Sequence, residues 1–185
     1  MQPSLIQFDY VEQNAGASEL EIQVFTESVF IPLTQAEIDR INRSQQNPFP
    51  KNDRYYDLYH PFDPSVWILP KGKLCGDFFT FMKWSNGGAF YLGERIIQLF
   101  ALEEIRGFML AYNIPEYMPK ALPFAFNGGG RFYLFDMRNK SNNGEYPIVC
   151  APAGGLGWSE DSFRVVSSTF QGVFTDSFSI DDLFN

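Results

Sequence analysis

Apolar and polar positions follow two different periods along this chain of 185 residues. Over Leu5–Val11, Ile6, Phe8 and Tyr10 alternate with Gln7 and Asp9. Over Glu19–Phe25, Leu20, Ile22 and Val24 alternate with Glu19, Glu21 and Gln23. Period two predicts strands with one wet face, joined here by a turn at Asn14–Ser18, so residues 1–32 form an N-terminal extension folded as a β-hairpin. An amphipathic helix competes for the second run, because Val29 and Phe30 extend it. Thr34-Gln35-Ala36-Glu37 is a capping box, and Leu33, Ile38 and Ile41 give the helix after it a buried side through about Arg43. Ser44–Pro64 is polar and proline-bearing and predicts a long loop, with one helical turn around Asp53–Tyr59.

The second half is denser in apolar residues. Leu74, Phe78, Phe81 and Met82 fall at helical spacing in Lys71–Trp84, with Asn86-Gly87-Gly88 as the cap after them. Ala89–Leu92 and Arg95–Phe100 predict two strands around Gly93-Glu94, and Leu102–Tyr112 predicts a helix that ends at Asn113-Ile114-Pro115. Leu122–Phe126 and Arg131–Asp136 flank Gly128-Gly129-Gly130 and predict a hairpin that reverses on glycine. Tyr146–Cys150 predicts a further strand. Val166, Phe170, Val173 and Phe174 give Val165–Phe174 the stripe of a closing helix, ahead of a tail over 177–185.

Composition narrows the class. Hydrophobic residues at 45% and charged residues at 19% belong to a globular chain. The 20 Phe and 9 Tyr imply an aromatic core or an adhesive face. A net charge of -8 disfavours nucleic acid and anionic membrane and favours a basic partner. No apolar run is long enough to span a membrane and no signal peptide is legible, so the expectation is a cytoplasmic protein with reduced thiols.

Candidate chemistry is sparse. His60 is the only histidine, and neither Cys75 nor Cys150 stands in a nucleophile or metal-ligand pattern. The triple glycine lacks the Lys-Ser/Thr of a phosphate loop. The expectation is therefore a chain without catalytic residues, metal or cofactor. Asp136, at a strand end, is read as an acceptor for backbone groups of the next turn. Two places combine aromatics with acid and are the candidate partner-binding residues: Tyr55, Tyr56 and Tyr59 beside Asp53 and Asp57, and Trp158 beside Glu160 and Asp161. Trp67, Trp84 and Trp158 each flank a loop and are read as lids on the core before anchors.

The order of these motifs resembles the SUKH superfamily, which includes the fungal cell-wall-assembly regulators of the Smi/Knr type and many bacterial immunity proteins. Leu69-Pro70, the helix with Phe78 and Phe81 ending at Trp84, then Asn86-Gly87, look like its signature. Phe100–Ile105 resembles its strand-to-helix step, and Gly128-Gly129-Gly130 before Phe132–Asp136 its glycine-rich hairpin. Arg131 departs from the acidic residue often found there. The resemblance covers Leu33 to Phe174, with the Smi/Knr-like domain set at 33–176 and an insertion before Trp67. It implies an α+β fold, an antiparallel-rich sheet packed by helices on one side, and no catalytic machinery. It also implies a protein-binding role, foremost an immunity protein that neutralises a basic, nuclease-type toxin domain. A cell-wall regulator-like scaffold, or a small-ligand binder or enzyme using the sheet's concavity, is the alternative.

Overall fold

The computed structural model describes residues 1–176 and 178–184. A 3-10 turn at Pro3–Leu5 leads to β1 (Tyr10–Gln13), α1 (Glu19–Ser28) and α2 (Gln35–Ser44). The insertion follows, with single turns at Tyr56–Leu58 and Pro64–Val66. Next come α3 (Gly76–Trp84), β2 (Gly88–Leu92), β3 (Arg95–Leu99), α4 (Leu102–Ala111) and α5 (Ile114–Tyr117). The chain closes with β4 (Ala121–Phe126), β5 (Arg131–Asp136), β6 (Ile148–Pro152), β7 (Arg164–Ser167), α6 (Gly172–Thr175) and α7 (Ile180–Phe184). Among the described residues the seven strands form one sheet, antiparallel throughout, in chain order β1 to β7.

Two predicted elements change type. Glu19–Phe25, expected as the second strand of an N-terminal hairpin, is the helix α1. Ser18 Oγ accepts from Glu21 N at 3.2 Å while the Glu21 carboxylate accepts from Ser18 N at 2.7 Å, a capping box like the one at Thr34–Glu37. Ile22, Phe25 and Val29 then turn inward at helical spacing, and Phe25 and Val29 are buried. The first predicted strand survives in part as β1. Its partner is not its sequence neighbour but β2, with Val11 opposite Phe90. At the other end, Val165–Phe174 is not one helix. Arg164–Ser167 pairs with β6 across a register shift, and only Gly172–Thr175 is helical. The inward residues are nonetheless Phe170, Val173 and Phe174, all buried.

The glycine-rich hairpin forms as predicted, with Gly128 at φ +76 and Gly130 at φ +83. Its organiser is Asn127, whose Oδ1 accepts from the backbone N of both Gly129 and Arg131 at 2.9 Å. In β5, Phe132 and Phe135 point to opposite faces by strand alternation. Phe132 meets Phe100, Tyr112 and Phe126, whereas Phe135 meets Phe78, Phe124 and Phe170. Both faces of the central strands are thus covered, not one.

The signature around Asn86 has a structural cause. Asn86 Oδ1 accepts from Leu102 N at 2.9 Å, supplying the N-terminal acceptor that Ala101 lacks, while Glu104 reaches back to Ala101 N at 3.0 Å. The cap expected from Asn86-Gly87-Gly88 on α3 comes instead from the N-terminal segment. Ala17 N donates to Met82 O at 2.8 Å and Gln13 Nε2 to Trp84 O at 2.6 Å, meeting carbonyls of the last turn. A Cβ on Gly16 would stand 1.9 Å from Lys83 O, so only glycine permits this approach.

Candidate partner-binding surface

The insertion is an ordered loop. Its base is closed by Gln45, which donates to Phe62 O at 2.9 Å and accepts from Phe62 N at 2.8 Å, as a strand residue would. Within it Asn47 holds Tyr56 O at 2.9 Å, and Asp53 accepts from Tyr55 N at 2.8 Å. Tyr55 is exposed, with Arg54 over its ring and Phe49 beside it. Tyr56 and Tyr59 are half-buried, His60 is exposed, and Leu58, which ends the Tyr56–Leu58 turn, is 66% exposed.

Trp158 sits elsewhere and is tied inward. Its Nε1 donates to Pro119 O at 3.0 Å, Phe163 packs edge-on, and the Arg138 guanidinium lies 3.5 Å from the ring centre. Arg138 is held in turn by Asp136 through two bonds of 2.8 Å, and Asp136 also accepts from Arg138 N at 3.1 Å. Glu160 and Asp161 are exposed beside this cluster. Trp67 and Trp84 are similarly half-buried, one donating to Glu116 at 2.7 Å and the other packed on Phe8, Phe81 and Phe90. Leu69 and Pro70 are buried; Gly87, at φ +91, continues the turn after Asn86.

A third surface exists only because Glu19–Ser28 is the helix α1, which the sequence offers as the competitor to a strand. Leu20 and Val24, one turn apart, are 68% and 55% exposed. With Phe25, Val29 and Leu102 they line a groove of about 320 Å³ between α1 and α4. Glu21 and Glu103 stand at its walls. The Glu21 carboxyl is held below its usual range by its bonds to Ser18. Arg106, the cation in the groove, is engaged by Glu37 and by backbone carbonyls of Ser28, Val29, Ile31 and Pro32. What remains open is apolar with an acidic flank. The Ser18-x-x-Glu21 capping box was the sequence signal that locates it.

Elsewhere burial suppresses reactivity. The Cys75 thiol is pushed up to about 11 and that of Cys150 to about 12, in both cases chiefly by burial. Among the described residues no group of three His, Cys, Asp or Glu side chains is placed to hold a metal ion. Nor is any helix among them long and apolar enough to cross a membrane.

Together these features define an α+β protein built on one antiparallel meander, with an acid-flanked apolar groove between two helices. Residues 73–176, more than half of the chain, match the SMI1 / KNR4 family (SUKH-1), and the chain belongs to that family. No curated protein matches it.

Proposed function

We propose that this chain is a non-enzymatic protein-binding module of the immunity-protein kind, which binds and neutralises a basic toxin domain through the α1–α4 groove. The observation that carries this is the exposed Leu20–Val24 pair, set beside Phe25 and Leu102 and flanked by Glu21 and Glu103. An apolar pair at i, i+4 next to a groove suits one face of a partner helix or loop. The flanking carboxylates and the net charge of -8 favour a cationic partner and speed its approach. Family membership supports a binding role. The Tyr55–Tyr59 loop, with Leu58 exposed, and the Trp158 corner with Glu160 and Asp161 are proposed as outlying contacts.

Leu20→Arg with Val24→Arg tests it, measured by interferometry against a basic toxin domain encoded beside the gene. Both side chains are exposed, so the melting temperature stays unchanged while affinity falls about a hundredfold or more. Unchanged affinity for that partner, with Trp158→Ala or Tyr55→Ala abolishing it, moves the interface to the other surfaces. A partner of acidic character overturns the electrostatic part.

A further inference from the structure

Four of the 14 lysines and arginines of this acidic chain line a single surface depression. Lys71, Lys120, Arg138 and Lys140, all exposed, rim an open surface depression of about 560 Å³, and no carboxylate is among the lining residues. Arg138 is neutralised from outside by Asp136, as described above. Among the described residues the Lys71, Lys120 and Lys140 ammonium groups have no ion-pair partner.

The frame of this depression is fixed. Lys120 is one of the few non-glycine residues at positive φ, +67, and its backbone is clamped on both sides. Lys120 N donates to Ile68 O at 3.0 Å, and Lys120 O accepts from Met137 N at 3.1 Å. Gly72 has φ +141, and a Cβ there would stand 2.2 Å from the Tyr146 hydroxyl, so glycine lets the Lys71 segment close against Tyr146. The Lys140 ammonium lies 5.3 Å from the centre of the same ring. Ile68, Leu69, Met137 and Tyr146 give the walls apolar surface.

From this we infer a second binding site, for a small organic anion that carries phosphate. Lysine ammonium groups are point-charge donors that turn to meet phosphate oxygens from several directions. Arg138, with Nε and Nη2 both occupied by Asp136, is a fixed flank and not a bidentate clamp for a carboxylate. The volume lies within the range of small-molecule pockets, and the aromatic and aliphatic walls suit an organic body attached to the phosphate. The site is separate in its lining residues from the α1–α4 groove and does not depend on the function proposed there.

Magnesium-free ATP is a suitable probe, followed by calorimetry and by amide chemical shifts, with tripolyphosphate and adenosine as parallel ligands. ATP binds one site per chain, and the shifts gather at residues 68–72, 120 and 137–146. Tripolyphosphate binds more weakly and adenosine more weakly still. Lys120→Glu with Lys140→Glu weakens ATP at least about tenfold at an unchanged melting temperature. Arg43→Glu with Lys51→Glu, the same change in net charge outside the depression, leaves it within about twofold. Absence of saturable binding, equal loss in both double variants, or adenosine binding as tightly as ATP would falsify the site.

Discussion

Arg106 is the residue on which three helices converge. Its Nε and Nη2 bond both Glu37 oxygens, at 2.8 and 2.9 Å, and its remaining donors reach the end of α1 and the link to α2. These bonds hold the Glu37 carboxyl down at about 2, against its ordinary 4.5. The folded value lies below the unfolded one, so the stabilisation is complete above about pH 4.5 and drains away as pH falls toward 2. Allowing for solvent screening, it contributes about 1–2 kcal/mol. Glu37→Gln should therefore lower stability at pH 7 by that amount and flatten its decline between pH 4.5 and 2, read by urea unfolding across pH. A parallel decline in both proteins would show that other carboxylates set the acid limit. Arg106→Ala should cost more, about 3 kcal/mol, because it also strips bonds from several backbone carbonyls.

At the scale of elements, the turns and caps were legible where one local signal decided them. The Thr34–Glu37 box, the glycine hairpin and the β2–β3 pair depend on residues within a few positions of each other, so the local pattern specifies them. Glu19–Phe25 failed because its alternation fits a strand as well as the outer half of a helix. The deciding Ser18–Glu21 box starts one residue upstream of that alternation and ends inside it, where Glu21 also reads as a wet strand position. Val165–Phe174 failed because the open edge of β6, the preceding strand but beyond the reach of a local periodicity, takes Arg164–Ser167 as a partner. Of the proposed binding surface, the tyrosine loop and the Trp158 corner are candidates that rest on aromatics beside acids. The Leu20–Val24 pair could not be picked out, since a strand would turn both side chains to the same face as Ile22. Ser18→Ala should test how much α1 depends on its cap. About 1 kcal/mol of stability should be lost. The α1 amides should also lose hydrogen-exchange protection before those of α4; uniform loss across the molecule would mean that α1 has no independent opening.

For the whole molecule, the question is whether the N-terminal extension is an appendage or part of the core. The family match begins at residue 73, yet the buried cluster that holds Phe78, Phe81 and Ile105 also holds Ala17, Phe25, Val29 and Ile41. Phe25 touches the rings of Phe78 and Phe79. β1 covers the outer edge of β2, residues 13–17 satisfy the last turn of α3, and Arg106 finds most of its carbonyl acceptors between Ser28 and Pro32. Burying Phe25 and Val29 alone is worth about 1.5–3 kcal/mol each. Against a net stability of about 5–15 kcal/mol for a domain, losing these terms together with the α3 cap and the Arg106 acceptors leaves little. Residues 33–185 expressed alone should therefore lack a cooperative melting transition and should bind a hydrophobic dye, while the full chain melts in a single step. A sharp transition for the fragment, within a few degrees of the full chain, would show that the core closes without α1 and β1. In that case the α1–α4 groove would belong to a detachable arm, and its partner would bind a surface that the rest of the fold does not need.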